Sequence, residues 1–213
     1  MKISQRMVTL GLALLFFVPQ FGIGQNNKKA VQKSIDKRDK KYEQIAKSIW
    51  NFAEVGYQEE KSSGLLKETL SNEGFSIKSG VAKIPTAFVA EYGSGQPVIG
   101  ILAEFDALPG ISQEVATQRQ PIENQGAGHA CGHHLFGTAS TAAAIAVKDY
   151  LKKTGQKGTI RLYGTPAEEG GSGKVYMVRV GLFDDVDVVL HWHAGDRNTA
   201  SPSPSMANLS AKG

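Results

Sequence analysis

The stretch that decides the fold is Val98-Ile-Gly-Ile-Leu102, followed at once by Ala103-Glu104-Phe105-Asp106-Ala107-Leu108-Pro109. An unbroken apolar run bounded by Pro97 and an acidic pair reads as a strand buried on both faces, the kind found in parallel sheets. Two later runs share its form. Thr159–Tyr163 leads into Gly164-Thr-Pro-Ala-Glu168-Glu169-Gly-Gly171, and Val186–Leu190 leads into His191-Trp192-His193. Helical segments lie between the strands, so the expected fold is α/β: a three-layer, largely parallel sheet with flanking helices. In such a sheet ligands bind beyond the carboxyl ends of the strands. The three polar clusters are therefore expected to share one crevice. A fourth cluster, Gly128-His-Ala-Cys131-Gly-His133-His134, opens an Ala-rich helix read over Ala139–Tyr150.

Working outward, Ile45, Ile49 and Phe52 recur at helical spacing, which predicts an amphipathic helix over 36–53. A second helix is read over 59–72 and stops at Gly74. Phe75–Lys78 and Ala87–Tyr92 read as short strands, Gly93-Ser-Gly95 as a hairpin turn and Gly173–Val180 as a helix.

The 213 residues are 41% hydrophobic and 21% charged, which excludes a disordered or fibrous chain. The single cysteine excludes an intramolecular disulfide. Lys2 and Arg6, the apolar run Val8–Val18, and Gly22 and Gly24 before Gln25 have the pattern of an export signal. The run is shorter than the roughly 20 residues a membrane span needs. The expectations are an exported protein, periplasmic or secreted, with no stable membrane span after signal removal. Cutting before Gln25 lowers the net charge from +4 to +2. The basic stretch Lys28–Lys41 reads as a solvated helix or frayed leader. It has no interleaved aromatics, so nucleic-acid binding has little support.

All five histidines lie between positions 129 and 193, around the lone Cys131. Thiolate, imidazole and carboxylate together suit a transition metal. The pair Glu168-Glu169 permits a division of labour, one carboxylate on the metal and its neighbour free as general base. The helix that follows Cys131 presents its positive end there and is expected to favour a thiolate. Gly170-Gly-Ser-Gly-Lys174 imitates a phosphate loop but has Glu168 and Val175 where that motif needs Gly and Ser/Thr. A cysteine nucleophile at Cys131 would leave the Glu pair unused.

GHACGHH (128–134), PAEEGGSGK (166–174), VVLHWHAG (188–195), FAEVGYQEE (52–60) and EFDALPG (104–110) together resemble the metal-dependent amidohydrolases of peptidase family M20, subfamily D. The resemblance implies Cys131, His133, Glu169 and His193 as metal ligands and Glu168 as general base. It places Asp106 behind a ligand histidine, with Glu104, His129 and His191 as supporting or structural residues. His134 departs from the family's Asp or Asn, and its role is open. Two divalent ions, manganese or zinc, are implied, as is hydrolysis of the amide of an N-acyl amino acid such as an aroyl-glutamate. Homodimerisation, or a partner subunit, follows from the same resemblance.

The organisation expected is a signal at 1–24, a basic leader at 25–40, the first part of the catalytic domain at 41–197, and a linker with the first residues of a lid and dimerisation domain at 198–213. A last histidine ligand would then lie outside the chain, which is expected to be an inactive fragment with an open sheet edge and exposed apolar surface. The alternative is a short, non-catalytic metal-binding or partner-binding protein.

Overall fold

The computed structural model describes residues 21–197 and 199–200. The apolar run at 8–18 and the segment 201–213 lie outside the described residues, and the expected cut before Gln25 falls inside the first helix. That helix, α1 (Phe21–Asp36), is followed by α2 (Asp39–Phe52) and α3 (Glu60–Asn72). Then come β1 (Ser76–Ser79), a 3-10 turn, β2 (Phe88–Ser94) and β3 (Val98–Ala103). Leu108–Pro109 (β4) and Ala127–Gly128 (β5) form a separate small ribbon. The long helix α4 (His133–Thr154) leads to β6 (Gly158–Gly164), α5 (Gly173–Arg179) and β7 (Val188–Leu190). Among the described residues no helix is long and apolar enough to cross a membrane.

The main sheet has the order β1-β2-β6-β3-β7. Its β6, β3 and β7 are parallel, and β2 and β1 extend it antiparallel. The sheet is thus mixed, with a three-stranded parallel portion that carries the polar clusters. Gly93-Ser-Gly95 does not close a hairpin. β2 and β3 lie on opposite sides of β6, and the chain passes over the start of β6 between them. Gly93, at φ 91, lies against the backbone of Gly158 there, where a Cβ would collide with the carbonyl.

Alternation along the strands sorts the two faces. Phe88, Ala90, Ile101, Ile160 and Leu162 pack with Ile45, Ile49, Leu66, Leu70 and Ile145 under α2, α3 and α4. Tyr163 and Met177 pack with Val81, Ile84 and Ala87 on the other face, beneath α5. β7 is the edge strand among the described residues, and Val188, Val189 and Leu190 are all exposed.

The basic leader is largely helical, with Lys28, Lys29, Lys33 and Lys37 exposed, as a solvated helix would have them, but one edge of it is tied down. Ser34 is buried, and its hydroxyl donates to Asp149 at 2.6 Å. Arg38 donates to Asp149 at 2.9 Å and bidentately to Glu73 at 3.1 Å, and Lys148 donates to Glu73 at 3.0 Å. Arg38, in the turn between α1 and α2, thus belongs to a partly buried cluster with Ser34 of α1, Glu73 after α3, and Lys148 and Asp149 of α4.

Gly137 sits where α4 crosses the end of β3. A Cβ there would lie 2.7 Å from the Glu104 carbonyl oxygen and 3.3 Å from Leu66. Alanine is the better helix former by about 1 kcal/mol, yet overpacking costs about 1–3 kcal/mol. Gly137→Ala is therefore expected to destabilise the fold and lower the urea midpoint. An unchanged or raised midpoint would show that α4 can move off the strand freely.

Candidate metal centre

Because β3, β6 and β7 are parallel, their carboxyl ends open on the same side. Glu104 and Asp106 follow β3, Glu168 and Glu169 follow β6, and His191 and His193 follow β7. The turn through Gly132 (φ 89) starts α4 and brings Cys131 and His133 against them.

His133 is the hub. Its side chain is 1% exposed, and Nδ1 lies 2.9 Å from Asp106 Oδ1. Asp106 Oδ2 accepts the Glu169 amide at 2.8 Å, so one buried carboxylate holds both the ring and the turn that carries the glutamates. His133 Nε2 lies 3.0 Å from Glu104 Oε2 and 4.0 Å from Glu168 Oε2. Glu104 also binds Lys174, and His191 Nε2 is 3.4 Å away.

Two groups of potential ligand atoms meet at this ring: Cys131, His133 and His193, and Glu104, His133 and Glu168. Cys131 Sγ is 3.4 Å from His193 Nε2. Of the four ligands expected, Cys131, His133 and His193 come together, while the Glu169 carboxylate lies outside both groups with Oε1 buried and unpartnered. Glu104 approaches the open nitrogen of His133 more closely than a supporting role required. His191 reaches Glu104, as a supporting residue would.

The electrostatics correct the reading of Cys131. Burial first, then the nearby Glu169, Glu168 and Glu104 carboxylates, push its thiol up to about 11 in the metal-free chain. A bound cation would reverse this, because a coordinating thiol is deprotonated outright. Burial would depress His133, but Asp106 and Glu104 outweigh it and push the imidazole up to about 10. Glu104 responds in the opposite sense: burial would raise it, yet His133, His191 and Lys174 hold it well below the usual carboxylate range.

His129 and His134 stand apart. His129 is buried, with Nε2 3.0 Å from the Ile49 carbonyl oxygen. His134 packs edge-on to Trp50 at 4.8 Å between centroids, and the two imidazoles are 5.2 Å apart. Burial is the main cause that pushes each down to about 4. The open question of His134 thus resolves into a position against Trp50 rather than among the groups meeting at His133.

The family described as "Peptidase family M20/M25/M40" matches residues 100–205. The chain is 46% identical over 191 residues to a p-aminobenzoyl-glutamate hydrolase subunit of Escherichia coli (strain K12), covering 86% of this chain and 39% of that protein. It is 30% identical over 154 residues to hippurate hydrolase of Campylobacter jejuni, covering 71% of this chain and 39% of that protein. A solved structure described as a dinuclear metal-binding peptidase of the M20 family, from Bacillus subtilis, superposes with a TM-score of 0.58 at 26% identity, over 79% of this chain and 44% of that one. The chain belongs to peptidase family M20. It spans about two fifths of the length of the curated relatives it matches.

Several residues that serve this M20 site escape a reading of the sequence alone. Glu59 is fully buried and accepts the Ala167 amide at 2.8 Å and the Thr86 hydroxyl at 2.9 Å. It holds Ala167 at φ 55, a left-handed conformation immediately before Glu168. Such strain persists only where the surroundings over-determine it. Lys174, which belongs to the stretch that imitates a phosphate loop, pairs with Glu104. Glu59 lies in the stretch FAEVGYQEE, but nothing in that stretch marks it as a buried anchor.

The donor set fits a divalent transition metal. It combines sulfur, imidazole and carboxylate donors, and it leaves Glu169 Oε1 buried without a hydrogen-bonded partner. In chain stripped of metal, His133 is expected to keep its second proton until about pH 10, whereas His129 and His134 stay neutral down to about pH 4. Against an unfolded value of about 6.5, the His133 contribution to stability is complete below that pH and is lost as pH rises through about 10. The His129 and His134 contributions are present above about 6.5 and lost as pH falls through about 4. NMR titration of the five imidazoles checks this, and a His133 midpoint near 6.5 would show that the two carboxylates do not clamp the ring.

Proposed function

We infer that this chain is part of a metal-dependent amidohydrolase that cleaves the amide bond of N-acyl amino acids, aroyl-glutamates among them. The observation that carries the reading is Glu168. Its side chain is 41% exposed and lies 4.0 Å from His133, whose far nitrogen is locked by Asp106. A base that the fold does not need stands beside ligands that the fold holds still. The names of the relatives, hydrolases of p-aminobenzoyl-glutamate and hippurate, support the substrate class.

Cys131, His133, Glu169 and His193 would hold the metal. Two divalent ions, zinc or manganese, are the reading for the complete site. Thiolate favours zinc, and a further histidine ligand would come from outside these 213 residues. When bound, the metal supplies Lewis acidity to the amide carbonyl and lowers the pKa of the attacking water. Glu168 takes the proton of that water on a carboxylate oxygen and delivers it to the leaving amine nitrogen. Asp106 keeps the His133 ring from rotating as charge builds, and Lys174 holds Glu104 ionised beside it. Export rests on the pattern of residues 1–24, and homodimerisation or a partner subunit rests on the family resemblance and on the Escherichia coli relative being named as a subunit.

Hydrolysis of p-aminobenzoyl-glutamate and hippurate by the product of the full reading frame, loaded with manganese or zinc, tests the reading. Glu168→Gln is expected to lower kcat by about 100- to 10,000-fold with metal content unchanged. Cys131→Ser is expected to lower metal content itself. The 213-residue chain alone is expected to take up metal without turnover, and clear turnover abolished by Glu168→Ala would overturn that part. Stoichiometric metal uptake with no hydrolysis by the full product would favour the non-catalytic binding protein instead.

A further inference from the structure

We propose that Tyr57 is a positioning residue for the turn that carries Glu168 and Glu169, and that the stretch Gly56–Glu59 clamps this turn from both ends. The consequence for catalysis rests on the hydrolytic reading, whereas the clamp itself rests on geometry. The turn is built from backbone conformations that do not hold themselves. Ala167, at φ 55, and Ser172, at φ 57, are left-handed without being glycine, and Gly170 lies between them at φ 79. Residues strained in this way persist only where their surroundings fix them. The restraints fall at alternate positions. The Glu59 carboxylate accepts the Ala167 amide at 2.8 Å, the Asp106 carboxylate accepts the Glu169 amide at 2.8 Å, and the Tyr57 hydroxyl donates to the Gly171 carbonyl. Glu168 stands between the first two, with its side chain open to solvent.

Glu59 and Tyr57 belong to one short segment, so that segment grips the turn before Glu168 and again after Glu169. The fit is close. A Cβ on Gly56 would lie 3.0 Å from the Ala167 Cα, and a Cβ on Gly171 would lie 2.8 Å from the Tyr57 ring. Burial does not explain the place of Tyr57, which is 41% exposed. Its own φ is 65, an unfavourable value for a bulky residue. What offsets that strain is contact with the turn, through the ring and through the bond to Gly171. Burial, then Tyr176 and Glu59, raises the pKa of the hydroxyl, so it keeps its proton and stays a donor. Without that bond the turn is still held at Ala167 and Glu169 but is loose beyond them. The Glu168 carboxylate then loses part of its fixed position, and a small misplacement of a reacting group is costly to rate.

Tyr57→Phe in the product of the full reading frame removes the hydroxyl and keeps the ring. Amide hydrogen exchange across residues 168–173, read by mass spectrometry, is expected to speed up by about tenfold, with α3 and β6 unchanged. In hydrolysis of p-aminobenzoyl-glutamate, kcat is expected to fall by about tenfold, with KM, metal content and urea midpoint unchanged. In a Gly171→Ala background the added methyl already crowds the ring, and Tyr57→Phe is expected to lower kcat no further. Unchanged exchange across 168–173 would overturn the clamp whether or not the parent protein hydrolyses amides. Faster exchange with unaltered kcat would reduce Tyr57 to a structural residue, and a raised KM with unaltered kcat would make it a substrate contact. Either result overturns the positioning role. A parent protein without hydrolysis would sink the amidohydrolase reading instead, and the exchange result would still decide the clamp.

Discussion

The Asp106 carboxylate is the constraint on which the site depends. It follows β3, an inner strand of the sheet, and is itself 1% exposed. One oxygen takes His133 at 2.9 Å and the other takes the Glu169 amide at 2.8 Å. Three chain segments far apart in sequence, the ends of β3 and β6 and the start of α4, are thereby fixed to one atom group. A buried carboxylate is costly unless its oxygens are satisfied. Here both are, by groups whose placement matters to chemistry, so stability and site geometry rest on the same hydrogen bonds.

A second buried carboxylate repeats this logic one layer away. Glu59 ties the start of α3 to the loop after β6 through the Ala167 amide and to the start of β2 through Thr86. Burial raises its pKa against those hydrogen bonds. Glu54 caps the amides of Lys61 and Ser62 at the head of α3, at 2.9 and 2.8 Å, while its own carbonyl accepts the Ala107 amide at 2.8 Å. The crevice is thus framed by acidic residues that spend their oxygens on backbone amides, and Glu168 is left as the carboxylate most open to solvent.

Much of this was legible from residues alone, for definite reasons. β3, β6 and α4 declare themselves because burial on both faces, or along one stripe, demands an apolar pattern that few other structures share. The convergence of Glu104, Asp106, Glu168, Glu169, His191 and His193 followed from strand direction, since parallel strands deliver the residues after them to one side. The antiparallel edge was not legible. β1 is four residues long and mostly exposed, and the alternation along β2 fits either strand direction. The hairpin at Gly93 was misread because glycine reports positive φ and close approach, not which strands are neighbours. The role of Arg38, in the turn between α1 and α2, was hidden because its partners Glu73 and Asp149 lie more than thirty positions away. Cys131 was misjudged because helix polarity is a local signal, whereas the carboxylates that oppose it arrive through tertiary contacts.

The same tertiary contacts explain why the site can be built before it binds a cation. Glu104, Asp106, Glu168 and Glu169 bring four carboxyl groups to a region where Lys174 and protonated His133 are the nearby cations. In the metal-free chain the extra proton on His133 partly offsets this excess of acid, which is why a buried imidazole titrates upward rather than downward. A dication at the free face of His133 would take over that role. Both His133 and Cys131 would give up protons, and Glu104 would keep Lys174 and His191 as partners. The proton on Nδ1 would remain, because Asp106 holds it from the side that the metal cannot reach. The arrangement therefore exchanges one cation for another without moving the buried carboxylate that anchors it, so the fold can pre-position the ligands at little cost in reorganisation.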